Sequence, residues 1–242
     1  MVVKTTAKLI SKKELSEKVS HFVFEAKEQF EFKEGQFVNF IVQDRNDKPI
    51  RRAYSIASSF NSKNPNEFEL CIKLEEEGQL TPKLFNAKEG DEFNIMGPLG
   101  LFKLKNIEHS RDSREANQVF IAAGTGIAPM RSFIQYLLET RNYTSQVTLL
   151  FGARNENEIL FKEEFEELQR KYPQFNFIIT LSRPSSNWEG LRGYIQDNLS
   201  KINVVDTSQI YICGRNAMVD SVHEVLDSFE IAKENRSHEK FG

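Results

Sequence analysis

The feature that most constrains the fold is a change of hydrophobic pattern near the middle of the chain. Before residue 103, short runs such as HFVFE and EFELCIKL alternate apolar and polar residues between turn signals. From residue 119 onward, continuous apolar runs alternate with segments of helical periodicity. The first pattern predicts an antiparallel β-barrel or sandwich, and the second predicts a parallel α/β sheet covered by helices on both faces. A chain of 242 residues is long enough for two such domains.

The segment between the two patterns, KLKNIEHSRDSREANQ at 103–118, is charged and has no apolar periodicity. We interpret it as a linker between domains 1–102 and 119–242, and a charged surface loop within one domain is the alternative. The first domain is predicted to contain one helical insert, TPKLFNAK, with Thr81 as its N-cap and Pro82 at its first position. In the second domain, the first helix is predicted to begin at Pro129.

Composition and charge argue against several classes of protein. The net charge of −3 argues against a nucleic-acid-binding protein, whose affinity rests on basic residues. No apolar run approaches the ~20 residues that span a bilayer, and the N-terminus lacks the features of a signal peptide, so we expect a cytoplasmic protein without membrane insertion. Cys71 and Cys213 are the only cysteines, which allows at most one disulfide and no cysteine-ligated iron–sulfur cluster. The four scattered histidines predict no metal site.

The segment IAAGTGIAPM at 121–130 is the first candidate binding site, because it predicts a strand, a glycine turn and a helix N-terminus. Backbone amides at Gly124 and Gly126 can approach a phosphate there, although Pro129 stands where the third glycine of the common G-x-G-x-x-G pattern would be. Ser182-Arg183 and Cys213-Gly214 also follow predicted parallel strands, so we expect them at the same edge of the sheet. A tight turn without a ligand is the alternative interpretation.

The segment RRAYSIASS at 51–59 is the second candidate. Arg52 offers a planar guanidinium group that suits a phosphate. The ring of Tyr54 can lie flat on an aromatic ligand, with the hydroxyl of Ser55 beside it. An ordinary half-exposed strand is the alternative interpretation.

Five motifs, in order along the chain, resemble those of the ferredoxin–NADP reductase family. RRAYSIAS resembles its R-x-Y-S flavin motif, and Gly78–Thr81 (GQLT) is similar to its G-x-x-[ST] element. GTGIAPM resembles its pyrophosphate loop for pyridine nucleotides, and YICGRNAM resembles its C-G-x-x-x-M element. The segment Glu239–Phe241 is similar to the terminal acid-x-aromatic of the family. Together the motifs cover essentially the whole chain.

The resemblance implies an N-terminal flavin-binding Greek-key β-barrel followed by a Rossmann-like NAD(P)-binding domain, with the chemistry in the cleft between them. The implied function is that of an FAD-dependent oxidoreductase that moves electrons between NAD(P)H and a small one-electron carrier, such as ferredoxin or flavodoxin, by hydride transfer to flavin N5. The alternatives are an NAD(P)H:flavin reductase, the reductase component of an oxygenase that serves a separate iron–sulfur subunit, and a non-catalytic nucleotide-sensing module.

The resemblance also implies roles for individual residues toward FAD. Arg52 would bind the pyrophosphate, Tyr54 would stack on the isoalloxazine, and Ser55 would hydrogen-bond near N5. Phe241 would cover the other flavin face, while Glu239 would orient groups or relay a proton to N5; a frayed C-terminus is the alternative for both. The other implied FAD-binding residues lie on a strand and the turn that follows it: Cys71, Ile72, Lys73, Gly78, Gln79, Leu80 and Thr81.

For the nucleotide, the resemblance implies that Cys213 lies next to the nicotinamide. Its small side chain would let the reacting carbon come within roughly 3–3.5 Å of the flavin, as hydride transfer requires. Ser55, Cys213 and Glu239 are therefore the implied catalytic residues, and a buried structural cysteine is the alternative for Cys213. The implied NAD(P)-binding residues are Gly124, Thr125, Gly126, Ala128, Pro129, Arg154, Ser182, Arg183, Arg192, Tyr194, Cys213, Gly214 and Met218.

The choice of nucleotide depends on charges after the second and third predicted parallel strands. A domain that prefers NAD often places an acid at the end of its second strand. Here Arg154 is the first charged residue after that strand, and Glu156 and Glu158 are interpreted as first-turn acids of the next helix. Together with Arg183 and Arg192, this pattern favours NADPH, with NADH as the other possibility.

Overall fold

The computed structural model describes residues 2–44, 46–105, 107 and 116–241. Most of the predicted linker 103–118 lies outside these residues. The chain forms two compact units, which are described separately below. The first comprises Met1–Lys103 together with Arg131–Tyr136, and the second comprises Leu104–Met130 together with Leu137–Gly242.

The first unit is built on a six-stranded antiparallel sheet whose order is β4-β3-β6-β1-β2-β5. Its elements are β1 (Val3–Ser16), β2 (Val19–Ala26), β3 (Phe37–Gln43), β4 (Pro49–Ser55), β5 (Glu67–Lys73), α1 (Thr81–Asn86) and β6 (Glu92–Leu99). An isolated antiparallel bridge between Ile56 and Leu70 joins the end of β4 to β5. Beside it, the amide of Ala57 donates to the carbonyl of Glu69 at 2.7 Å. The sheet thus closes on itself, and the predicted antiparallel barrel is confirmed.

Alternating phenylalanines explain why these strands form a barrel with one packed interior. On β2, Phe22 and Phe24 are fully buried, whereas the residues before each of them, His21 and Val23, are only half-buried. The ring of Phe24 lies 5.4 Å from that of Phe40 and 5.7 Å from that of Phe68, so rings from three strands meet inside. Each such burial contributes roughly 2–3 kcal/mol to the stability of the fold.

A cluster of one buried and two half-buried polar side chains adds contacts to the first unit. One carboxylate oxygen of Glu69 on β5 accepts from Nη1 of Arg131 at 2.5 Å and contacts Nε2 of His21 at 2.8 Å. Arg131 also donates to the carbonyl of Ala57 at 2.8 Å. The hydrogen bond from His21 and the guanidinium of Arg131 together outweigh the opposing effect of burial and lower the pKa of Glu69 to about 2.

The second unit is built on a six-stranded parallel sheet whose order is β10-β9-β8-β7-β11-β12. Its strands are β7 (Gln118–Ala123), β8 (Val147–Ala153), β9 (Phe175–Leu181), β10 (Leu191–Arg192), β11 (Gln209–Arg215) and β12 (Arg236–Phe241), and the helices along this part of the chain are α2 (Ile127–Gln135), α3 (Lys162–Lys171) and α4 (Asn216–Ser228). The predicted parallel α/β sheet is confirmed.

The central strands of this sheet are almost entirely buried, which accounts for their continuous apolar sequences. Ile121 on β7 and Ile212 on β11 pack in one cluster with Val219 and Val222 of α4. The chain passes from β7 to β8 on one side, and β11 lies on the other side of β7. The loop after β7 therefore lies where the strand order reverses, which is the usual ligand position in open parallel sheets.

The C-terminal strand β12 is absent from the sequence-based expectations. It pairs in parallel with β11, so that Cys213 lies opposite Glu239 and Arg215 lies opposite Phe241. Its sequence, RSHEKF, is too polar to show a hydrophobic period. The strand forms because it adds to an edge that β11 already provides, and this long-range pairing leaves no local sequence signal.

The starts of three helices differ from expectation. Helix α2 begins at Ile127 after a 3₁₀ turn over Gly124–Gly126, so the predicted start at Pro129 is wrong; the proline fits because the first turn needs no amide from it. Leu80 occupies the N-cap position of α1, so the prediction for Thr81 is wrong. The hydroxyl of Thr81 instead bonds the main chain of Glu75, accepting from its amide and donating to its carbonyl.

The third difference concerns the acids that follow β8. Helix α3 begins only at Lys162, so Glu156 and Glu158 are not first-turn acids of this helix. Both lie in a separate 3₁₀ turn, Glu156–Glu158, in which Asn155 is the N-cap. Oε1 of Glu158 accepts from the side-chain amide of Asn155 at 3.1 Å. The Glu156 carboxylate therefore does not cap the first turn of α3.

Candidate functional site

The R-x-Y-S segment lies on β4, at the position where the barrel closes. Arg52 is exposed, and its Nη1 donates to the carbonyl of Arg51 at 3.0 Å. Tyr54 is half-buried, with its ring edge-on to Phe40 at 5.8 Å. Burial outweighs the nearby guanidinium of Arg52 and raises the pKa of Tyr54 to about 12, so its hydroxyl remains a hydrogen-bond donor at neutral pH. Ser55 is buried at the end of the strand.

The facing strand β5 carries the next three predicted flavin residues. Because Ile56 bridges Leu70 in antiparallel register, Ser55 lies alongside Cys71. Burial raises the pKa of the Cys71 thiol to about 12, so this side chain is a small neutral group. Ile72 is fully buried, and Lys73 pairs with Glu75 at 2.9 Å near the surface.

The turn after β5 borders an open surface cavity of about 360 Å³. The amide of Gly78 donates to the carbonyl of Glu75 at 2.8 Å, and a Cβ at this glycine would lie 2.8 Å from the same oxygen. Oε1 of Gln79 is buried and has no hydrogen-bond partner among the described residues. The residues lining the cavity are Gln43, Asp44, Glu77, Gly78, Gln79, Pro82 and Lys83. An orphaned acceptor beside a cavity suits the hydroxyl and amine donors of FAD, so the residues present fit this cofactor.

The glycine turn after β7 has one open and one packed glycine. Gly124 has a φ of +55°, and no described atom lies within 4 Å of the position that a Cβ would occupy. At Gly126, a Cβ would lie 2.3 Å from the carbonyl oxygen of Cys213. Ala128 and Pro129 are buried in the first turn of α2. The open space at Gly124, beside a helix N-terminus, lets an anionic group approach the main chain closely, so the residues present fit a nucleotide pyrophosphate.

Cys213 and Glu239 are brought together at the end of β11. Cys213 is fully buried, and burial raises the pKa of its thiol well above the ordinary value, with Glu239 adding to the effect. The thiol is therefore neutral. Gly214 follows, and a Cβ there would lie 2.3 Å from Cε of Met218. Phe241, at the end of β12, is half-buried.

The remaining predicted nucleotide residues lie along the same edge of the sheet. The amide of Ser182 donates to the carbonyl of Ala153 at 3.1 Å, and the amide of Arg183 donates to that of Arg154 at 2.7 Å, so the ends of β8 and β9 are joined. Tyr194 is 62% exposed. Thr125, in the glycine turn, is half-buried.

Arg192 on β10 has its guanidinium group engaged within its own loop. Its Nη2 donates to the carbonyls of Ser185, Ser186 and Trp188 at 3.2, 3.2 and 2.7 Å. These contacts hold the 185–188 loop against β10. They also fix the guanidinium, so any further anion that it binds must approach its remaining face.

Glu156 is a residue of this edge that the sequence-based interpretation assigned elsewhere. Its Oε1 accepts from both the amide and the hydroxyl of Ser185, at 2.9 and 2.7 Å. These bonds from Ser185, chiefly that of the hydroxyl, lower the pKa of Glu156, and Arg192 adds a smaller effect. The available signal was its position, three residues after the second parallel strand ends, where an acid has a known role in dinucleotide folds.

Three properties of the described residues bear on other classes of protein and site. Among them, no three or more histidine, cysteine or acidic side chains form a group that could hold a metal ion. Within the same part of the chain, no helix has the length and apolarity needed to cross a membrane. Cys71 and Cys213 are both buried free thiols, so they form no disulfide.

Comparisons with known proteins agree with this fold. Residues 6–104 match the oxidoreductase FAD-binding domain, and residues 120–224 match the oxidoreductase NAD-binding domain. Ferredoxin–NADP reductase B of Sorangium cellulosum is 32% identical over 229 residues, which cover 90% of this chain and 89% of that protein. The chain belongs to the ferredoxin–NADP reductase family, whose FAD-binding and NAD-binding domains it carries.

Two further likenesses extend the comparison. One subunit of the Na(+)-translocating NADH-quinone reductase of Neisseria meningitidis is 31% identical over 210 residues, which cover 81% of this chain and 50% of that protein. The chain thus spans about half the length of this relative. The ferredoxin–NADP+ reductase of Plasmodium falciparum, a structure with 2'P-AMP, has a TM-score of 0.80 and 26% identity, with 98% of this chain and 96% of that chain covered.

Proposed function

We propose that this protein takes hydride from a reduced pyridine nucleotide onto FAD and passes the electrons singly to a separate redox protein. The observation that carries the proposal is the arrangement at the end of β11. There the glycine turn packs on Cys213, and Glu239 pairs beside the same cysteine. This edge thus brings together a glycine turn, a small neutral side chain and an acid from three separate parts of the chain.

The residues of the barrel would hold the flavin. When bound, FAD accepts a hydride at N5 and can release two electrons one at a time. The guanidinium of Arg52 is exposed and suits the pyrophosphate. The half-exposed ring of Tyr54 offers a surface for the isoalloxazine, and Ser55 lies at the strand end to hydrogen-bond near N5.

The residues of the parallel sheet would hold the nucleotide. Amides of the Gly124–Gly126 turn would bind the pyrophosphate, with the N-terminus of α2 favouring its charge. Because the thiol of Cys213 is small and neutral, it leaves room for the nicotinamide without attacking it. Glu239 would orient groups or carry a proton, and Phe241 would cover the flavin.

The electron acceptor we propose is a ferredoxin, a flavodoxin or a separate iron–sulfur subunit. The name of the Sorangium relative, which matches over 90% of this chain, supports a ferredoxin. The two cysteines of the chain are buried and free, so they hold no cluster themselves.

The visible spectrum of the purified protein, followed by anaerobic addition of NADH or NADPH, tests this function. A flavin spectrum that bleaches with a pyridine nucleotide and recovers on adding oxidised ferredoxin supports it. If no flavin is present and none is taken up from added FAD, the proposal fails. Loss of FAD during gel filtration, with NAD(P)H-dependent reduction of free flavin retained, would identify a flavin reductase instead.

Arg52→Ala is expected to weaken flavin binding. Losing charge-assisted bonds to a pyrophosphate should raise the dissociation constant of FAD by roughly 10- to 100-fold, measured by fluorescence titration of the apoprotein. Arg51→Ala is the matched control, because adjacent residues of β4 point to opposite sides of the strand. Equal losses in the two variants, or a fully flavin-loaded Arg52→Ala protein, would remove the assignment.

Ser55→Ala is expected to slow flavin reduction roughly tenfold while nucleotide affinity changes little. The reason is that the hydroxyl is proposed to contact the reacting part of the flavin and not the nucleotide. Stopped-flow reduction at several nucleotide concentrations separates the two effects. Ser58→Ala removes another buried hydroxyl just beyond β4, one that accepts from the amide of Glu69, and is the control for losing a buried hydrogen bond. Unchanged limiting rates in Ser55→Ala would contradict the proposed role.

A further inference from the structure

The contacts of Glu156 form an anion site that the protein fills with its own carboxylate. The amide and the hydroxyl of Ser185 both point at one carboxylate oxygen, at 2.9 and 2.7 Å. Arg192 is held beside them by the carbonyls of the same loop. A main-chain amide, a hydroxyl and a guanidinium group are the donors that proteins use to bind a phosphate monoester. Here the amide and the hydroxyl bond a carboxylate, and the guanidinium acts on it only through its charge.

The position of this site along the sheet is the one at which dinucleotide folds recognise the ribose of the nucleotide. Glu156 follows β8, the second parallel strand, and Ser185 and Arg192 lie on the segment from β9 to β10. In dinucleotide folds the ribose 2' position is recognised at the end of the second strand, by an acid for a free hydroxyl or by an arginine for a phosphate. The glycine turn after β7 lies one strand away in the same sheet.

We propose that Glu156 occupies the position of the 2'-phosphate and makes the protein prefer NADH to NADPH. This inference rests on the proposed function, because it assumes that the nucleotide lies across this edge. A 2'-phosphate could bind Ser185 only by displacing the carboxylate, and the two anions would repel each other. A free 2'-hydroxyl, in contrast, can donate to the carboxylate while Ser185 stays bound to it.

The neighbouring arginines do not remove this discrimination. Arg154 and Arg183 are exposed and joined through their main chains, and they favour an anion at the same edge. Both nucleotides carry the pyrophosphate proposed to bind at the glycine turn one strand away, and both arginines attract it, so their charge alone does not select the 2'-phosphate. The contact that distinguishes the nucleotides is the one that Glu156 already fills.

Glu156→Gln tests the proposal, with Glu158→Gln as the matched control. Glutamine keeps an oxygen that accepts from Ser185 and removes only the charge, while Glu158 is an acid of the same 3₁₀ turn that contacts Asn155. Two quantities are compared in the FAD-loaded chain: the efficiency of anaerobic flavin reduction by NADPH relative to NADH, and the affinity for adenosine 2',5'-bisphosphate relative to 5'-AMP by calorimetry.

The wild-type protein is expected to be reduced more efficiently by NADH. In Glu156→Gln both ratios should shift toward the 2'-phosphate by roughly tenfold, and in Glu158→Gln by less than about twofold. A wild-type preference for NADPH, or equal ratios in the two variants, would overturn the inference. If neither nucleotide reduced the flavin while calorimetry still gave the expected shift, the proposed function would fail and the assignment of Glu156 would stand.

Discussion

Arg131→Ala is expected to lower the free energy of unfolding by about 3 kcal/mol, because it leaves the half-buried carboxylate of Glu69 without its guanidinium partner. Arg131 is 6% exposed and bonds both Glu69 and the carbonyl of Ala57. The substitution removes a positive charge and the hydrogen bond to the carbonyl of Ala57, next to the bridge that joins β4 to β5. Urea unfolding followed by circular dichroism measures the change, and Arg170→Ala, an exposed arginine on α3, is the control.

The pH dependence of this difference is a second, independent readout. The pKa of Glu69 in the folded protein is about 2, below its ordinary 4.5, so its contribution is present above pH 4.5 and is lost as the pH falls toward 2. Without Arg131 this pKa rises toward the ordinary value. The gap in stability between wild type and variant should therefore shrink as the pH is lowered from 7 to 3. A gap that stays constant over this range would contradict the ion-pair explanation.

Gly126→Ala is expected to destabilise the protein by about 1–3 kcal/mol or more and to weaken nucleotide binding at least tenfold. A Cβ would lie 2.3 Å from the main-chain oxygen of Cys213, and neither backbone can yield without moving a strand end or the first turn of α2. Thermal unfolding and calorimetric titration with ADP measure the two effects.

Gly124→Ala distinguishes a loss of stability from a loss of space for the ligand. A Cβ at Gly124 meets no described atom within 4 Å, so only the left-handed φ of +55° costs stability, by roughly 1 kcal/mol. ADP binding should nevertheless fall at least tenfold, because the methyl group fills the space proposed for the pyrophosphate. If Gly124→Ala bound ADP as well as wild type, the turn would be a structural connection and not a phosphate site.

The sequence allowed both sheets to be predicted because each has a local signature. Alternating residues on β2 and β5 have one side inside the barrel, and continuous apolar residues on β7 and β11 have both sides covered. These patterns depend on neighbours along the chain. They therefore survive in a single sequence without knowledge of what each strand packs against.

The contacts that were not predicted join residues far apart in the chain. Glu156 and Ser185 are separated by 29 positions, and Glu69 and Arg131 by 62. No periodicity relates such pairs, and an acid ahead of a helix is more simply interpreted as a helix-start residue. The polar strand β12 was missed for a similar reason, since its pairing depends on β11 and not on its own composition.

The way the barrel closes has a consequence for its motions. Most neighbouring strands share ladders of several residue pairs, whereas β4 meets β5 beyond its end through an isolated bridge at Ile56 and Leu70. Arg131 bonds Ala57 and Glu69 on the two sides of this junction, so the amide of Ala57, which donates across it, should exchange with solvent faster in Arg131→Ala than in the wild-type protein. Opening of this junction would separate Ser55 from Cys71 while the rest of the barrel stayed folded. A cofactor that contacts both strands would then slow this local opening and the exchange of this amide.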